Sequence, residues 1–306
     1  MAASKQQHLK TTSPELFGVE VGNDDMYNRV RVPAADAPEQ LLNAREFSER
    51  LWRRTADYLD EDLPTKASQH FHQAFWEMYL AATLLELGLP LVARNKRQRP
   101  GVGPDLQIAP NIWVEAIAVL SGSGPDAVPD NSNDFSKTHT VPDGQLRLRL
   151  VSGMMEKRIK FEKYRKNGVV GPEDVCVVAI NTAMLGIHSD FFPPRIVRAL
   201  FEFGWPQMNI ELDTQRVVAS GHSHAPSVSK LSGNTVGQGM FLDGTSTFLS
   251  ACIYSAANFA FTDLALGGDF IVVHNPTASA PLPRGLISAG DECWAEANNL
   301  SYKRGE

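Results

Sequence analysis

Residues 103–118, GPDLQIAPNIWVEAIA, alternate apolar and polar positions in a way that predicts a short hairpin. Leu106 and Ile108 alternate with Asp105 and Gln107. Ala109-Pro110-Asn111 supplies the turn, and Ile112-Trp113-Val114 opens a second strand. Side chains on a strand alternate between faces, so Asp105 and Gln107 share a face, as do Trp113, Glu115 and Ile117. Pairing across the turn would bring both acids to one end of the sheet.

Helical periodicity brackets this hairpin. Residues 38–62 read as helical, with Leu41, Leu42, Phe47, Leu51 and Tyr58 apolar and Pro64 closing the segment. Residues 67–88 read as one helix stopped by Gly88, with Glu77 on a packed stripe beside Ala74, Ala81 and Leu84. Leu89–Ala93 reads as a first core strand. Residues 145–166 form a helix ended by Asn167-Gly168, with Leu150, Met154, Phe161 and Tyr164 on one stripe and Lys157 near its middle. Between hairpin and helix, residues 121–144 are a long Gly/Pro/Asp/Asn/Ser loop, of a length that suggests a cover over a site. Asp174–Thr182, DVCVVAINT, has the sparse charge of a central strand. Beyond residue 190 the pattern predicts a short helix over Ile196–Phe203 and short strands at Arg216–Ser220 and Met240–Leu242. Phe248–Ser255 and Asp269–His274 read as apolar strands that extend the same sheet.

The expectation is an α/β chain with a central mixed sheet flanked by helices. Residues 1–36 are read as a flexible segment, 37–190 as the core with its N-terminal helix, and 191–306 as an extension packed on the same sheet. A chain of 306 residues can bury a sizeable core in one or two domains. It shows no membrane-length apolar run and no signal-peptide pattern. Cys176, Cys252 and Cys293 lack metal-ligand spacing, and two of them lie in apolar strand-like runs, where a reduced, buried thiol is the default, which fits a cytoplasmic protein.

The chemistry concentrates at the hairpin. Carboxylates are the hard ligands Mg²⁺ prefers, and that ion needs only one or two of them. An acid in an apolar strand is costly unless it is paired or metal-bound. The plain alternative is a surface hairpin with two solvated acids. A net charge of −6 argues against attraction to nucleic acid over the whole surface, so local distribution decides. Arg147, Arg149, Lys157, Arg158, Lys160, Lys163, Arg165 and Lys166 crowd one helix, and RNKRQR at 94–99 precedes Asp105. Both are candidate phosphate contacts, or else ordinary solvated faces. His222 and His224 share a strand face without a third ligand nearby and read as polar-loop residues. His274-Asn275-Pro276 reads as a strand-to-turn junction whose polar groups cap the backbone.

GPD, nine residues, then Glu115 at the end of an apolar strand resembles the PD-(D/E)XK nuclease superfamily, with its restriction-endonuclease-like core. The order of elements matches over residues 65–183. The resemblance implies that Asp105, Glu115 and the backbone carbonyl of Ala116 bind Mg²⁺ (or Mn²⁺), with Glu77 from the preceding helix holding a metal-bound water or a second ion. It implies DNA as the substrate. The family's lysine, two residues after the strand glutamate, is Ile117 here. Lys157, or Lys160 on the flank of the same helix, is the expected replacement, orienting the attacking water or stabilising the transition state. Two other readings stay open: a non-catalytic module of the same fold that binds nucleic acid or a protein, and an unrelated α/β protein whose strand order separates Asp105 from Glu115. A homodimer is compatible with all three.

Overall fold

The computed structural model describes residues 15–97, 102–130, 140–186, 190–260, 265–296 and 299–305. Its N-terminal half begins with four helices: α1 (Asp25–Arg31), α2 (Glu39–Thr55), α3 (Leu63–Ala67) and α4 (Phe71–Glu86). Asp24 sets the start of this layer. Its Oδ1 accepts from the Met26 and Tyr27 amides, and its Oδ2 accepts from the Phe71 amide, so one carboxylate caps α1 and anchors α4. α4 is apolar nearly all round because it lies between α2 and the sheet.

A seven-stranded mixed sheet follows, in the order β1 (Leu106–Ile108), β2 (Ile112–Ala118), β3 (Val175–Asn181), β8 (Ala251–Ser255), β9 (Ile271–His274), β10 (Asp291–Glu296) and β11 (Asn299–Lys303). β2, β3 and β8 run parallel. The crossovers between them carry α5 (Asp143–Lys166) and α6 (Arg195–Phe201), which pack together on one face. The α1–α4 layer covers the other face, so each face has its own apolar core. All seven residues of β3 are buried, as its sparse charge predicts. Two small ribbons lie outside the sheet: β4 (Phe203–Glu211) with β5 (Arg216–His224), and β6 (Ser227–Ser229) with β7 (Thr235–Gly237).

Several expectations change. Residues 15–36 are not a loose tail: Leu16, Phe17, Tyr27 and Val30 are buried, and only residues 1–14 lie outside the described part. Pro64 does not close the preceding helix. It sits in the first turn of α3, where its missing amide costs nothing. Leu89–Ala93 forms no strand, only one bridge from Leu91 to Ile108, because Pro90 has no amide to offer and the chain turns at Arg94–Lys96. Met240–Leu242 is a turn rather than a strand: Gly239 takes a φ of 79° and accepts from the Leu242 amide. His222 and His224 lie on a strand, β5, not a loop. The centre of the 121–144 loop, residues 131–139, lies outside the described residues. Among described residues no helix is long and apolar enough to cross a membrane, and all three cysteines are buried and unbonded to one another.

Candidate functional site

β1 is short and β2 runs past it. Leu106 pairs with Val114, so one step further Asp105 lies across from Glu115, as the period-two pattern predicts. Among the described residues, β2's outer edge beyond that point has no strand to bond, and side chains take over. The Ala116 amide donates to Asp105 Oδ2 at 2.7 Å. The Ala118 amide donates to Gln73 Oε1 at 2.7 Å. Gln73 Nε2 donates to Glu77 Oε1 at 2.9 Å and, more weakly, to the Ala116 carbonyl at 3.3 Å. Gln73 thus links α4 to the edge of β2 and aims Glu77.

Glu115 lies on the face of β2 away from α4, under α5, and is completely buried. Its Oε1 accepts from Lys157 Nζ at 3.0 Å and from Lys160 Nζ at 2.7 Å. Tyr164 Oη lies 3.4 Å from Oε2. Sequence reasoning offers the two lysines as alternatives, and the structure brings both to one oxygen. They differ in access: Lys157 is buried, while 44% of the Lys160 side chain is exposed. Ile117 lies on the α5 side of β2, with Gly153 of α5 close against it and Val119. A Cβ at position 153 would come within 2.7 Å of Val119 Cγ1. The absent side chain lets α5 approach until Lys157, about one turn on, reaches Glu115.

Glu77, Asp105 and Glu115 lie near the two ammonium groups, and burial shifts the first two carboxyls upward. Burial, reinforced by the Asp105 charge, raises Glu77 to about 8, with the Gln73 bond opposing. Burial and the Glu115 charge raise Asp105 to about 6, against the pull of Lys157 and the Ala116 amide. Burial works to lower Lys160, but the Glu115 carboxylate dominates and raises it above the ordinary lysine range. Burial and Glu115 raise the Tyr164 hydroxyl, which stays protonated. Among described residues, no three His, Cys, Asp or Glu side chains converge closely enough to share an ion. Asp105, Glu115 and the Ala116 carbonyl are neighbours, and Glu77 stands behind them through Gln73.

The basic segments are only partly free. Arg97 is buried and donates to the carbonyls of Tyr58 and Pro104, bracing the residue before Asp105. Arg94 pairs with Asp60. Arg99 lies outside the described residues. Arg147 joins Arg195 and Arg198 around Asp143, where α5 meets α6. Arg165 bonds the Gly171 carbonyl and lies over Phe248. Lys96, Lys163 and Lys166 are exposed to solvent.

Of the histidines, His222 stacks on Phe203 and His224 lies 3.6 Å from Glu202, so the pair does not converge on an ion. Asn275 caps backbone carbonyls at Ser246 and Leu249, while His274 pairs with buried Glu292. Sequence reasoning missed Gln73 and Tyr164. Their signals were spacing: Gln73 lies one turn before Glu77, and Tyr164 one turn after Lys160.

No family model, curated protein or solved structure matches this chain.

Proposed function

We propose that this chain is a Mg²⁺-dependent nuclease with a restriction-endonuclease-like PD-(D/E)XK core, acting in the cytoplasm on DNA, with its lysine supplied by α5 rather than by β2. The observation that carries the reading is the approach of two α5 ammonium groups to the glutamate that faces Asp105 across the hairpin. A hard divalent cation suits the donors: two adjacent carboxylates and a backbone carbonyl suffice for an ion that keeps several waters. Mn²⁺ suits the same oxygens.

When bound, such an ion lowers the pKa of its water and neutralises charge on the phosphate. The protein's own groups divide the remaining work. Asp105 and Glu115 hold the negative end of the site. Lys157, buried, fixes the position of Glu115. Lys160, at the solvent side, is the cation a phosphate oxygen can reach, and it orients the attacking water. Glu77, with a pKa near 8, is suited to proton transfer near neutrality, and Gln73 fixes its orientation.

The test is incubation with plasmid and with linear single-stranded DNA in Mg²⁺, Mn²⁺ or EDTA. Cleavage is expected with either metal and not with EDTA. Asp105→Ala and Glu115→Ala should each reduce it by on the order of a hundredfold or more. Near wild-type cleavage by both variants sinks the assignment. The complete burial of Glu115 beneath two lysines favours one other reading, a non-catalytic module of the same fold that binds DNA or a protein. Its signature is wild-type DNA binding with no metal-dependent cleavage in any arm.

A further inference from the structure

The β4–β5 ribbon lies off the central sheet, and every residue from 205 to 218 is exposed. A lone two-stranded ribbon is marginally stable in water, and stability normally requires more strands or a covered apolar face. This ribbon sorts its side chains by face. Met208 pairs with Ser220 and Ile210 with Val217, which puts an uncharged, apolar surface on one side. Gln207, Asn209 and the Glu211–Arg216 cross-strand pair lie on the other. Trp205, on the polar side near the ribbon's root, is held by Arg198 of α6 and by Phe191, which anchors the ribbon at its base. On the apolar side Met208 is 67% exposed, Ile210 52% and Val217 55%, and Leu212 at the turn is 88% exposed.

We propose that this apolar face is the contact between two copies of this chain, with the ribbons packed face to face about a two-fold axis. Three physical points select a second copy as the occupant. The face carries no lysine, arginine or carboxylate, and its one histidine, His222, stacks on Phe203, so it offers no fixed cation to a phosphate backbone. An uncharged strip is complementary to itself, and an isologous contact places the same strip on both sides. The area is also adequate. Side chains of this size, each half exposed or more, contribute on the order of 100 Å² apiece, so with the ribbon backbone and polar rim each copy approaches the ~600 Å² at the low end of specific interfaces. Two ribbons stacked as layers about 10 Å apart form a four-stranded sandwich, which supplies the cover that each lacks alone. The contact is independent of the proposed catalysis.

The experiment is sedimentation velocity on the full chain across about 1 to 100 µM, the range expected for an interface this small. Wild type should pass from monomer to dimer. The double variant Ile210→Asp/Val217→Asp should weaken the dimer by on the order of a hundredfold or more, with an unchanged circular dichroism spectrum. Hydrogen exchange on wild type is the second measurement and needs no variant: the β4–β5 amides should become more protected as protein concentration rises. A wild type that stays monomeric over the whole range overturns the proposal. So does a dimer that the double variant leaves intact, or ribbon protection independent of concentration, which would mean that another part of the same chain covers the face. Dimer formation only in the presence of DNA also overturns it.

Discussion

Glu115 is enclosed by its own fold, and two ammonium groups three residues apart on one helix share a single carboxylate oxygen. The pair separates structural from chemical work. Lys157→Met keeps the stem's packing and leaves Glu115 with one cation fewer, so it should lower stability by about 1–3 kcal/mol as well as reduce cleavage. Lys160→Met removes a half-exposed charge, so it should leave the melting temperature nearly unchanged while cutting kcat by on the order of a hundredfold. Thermal melts and single-turnover cleavage on both variants decide this, and undiminished cleavage in both would remove the lysines from the mechanism. His72 gives a pH-dependent counterpart. It is buried, its Nε2 meets Asn181 Oδ1 at 2.8 Å, and burial lowers its pKa below the usual 6.5 against the pull of that bond. The folded state therefore binds fewer protons than the unfolded state below pH 6.5, so the His72 contribution is intact above that value and is lost as pH falls through it. Glu77 and Asp105, with raised pKa values, act in the opposite direction. The difference between wild type and His72→Gln isolates the histidine: the gap in melting temperature should change between pH 8 and pH 5.5, the variant losing less on acidification. A constant gap refutes it. Gln73 was not legible as a site residue, because an uncharged helical amide has no chemical signature. Its role comes from the amides that β1 leaves unpaired by ending early.

At the scale of elements, what could be read from the sequence is what repeats. Period two carried the hairpin and brought Asp105 opposite Glu115. Period 3.6 carried α5 and its stripe, where Leu150, Met154, Lys157 and Phe161 are buried. β10 and β11 were missed because their polar residues are satisfied by partners far away or across the strand. Glu292 is buried through His274 and the Gly285 amide, and Asp291 meets Tyr302. No local pattern announces such pairings. Nor did the charge on α5 announce that Arg147 and Arg165 serve the fold. The α5–β2 contact depends on one absent side chain, at Gly153. Gly153→Val should displace α5 from Val119 and Ile117, cost about 1–3 kcal/mol, and reduce cleavage although no charged group has changed. Denaturant unfolding and the DNA assay together check it, and a variant with wild-type stability and rate would show that the close approach does not matter.

For the molecule as a whole, the sheet order has a consequence for how the chain is made. β3 pairs on one side with β2 and on the other with β8, whose residues follow some seventy positions later: Val177 meets Ala251 and Asn181 meets Ser255. At a synthesis rate of about 5–20 residues per second, β3 leaves the ribosome several seconds before its second neighbour exists. During that interval a strand of six apolar residues and one asparagine has one bare edge, the kind of edge that pairs with other chains. The segment 37–190, which holds every proposed catalytic residue, is therefore not self-sufficient. A fragment ending at residue 190 should be recovered mostly as aggregate, and supplying residues 191–306 in trans during refolding should restore part of the soluble material. A monomeric fragment that melts cooperatively would contradict this. The nascent chain depends on what has yet to be translated, and a chaperone that shields β3 until Ser255 has emerged would protect the catalytic half from its own incomplete sheet.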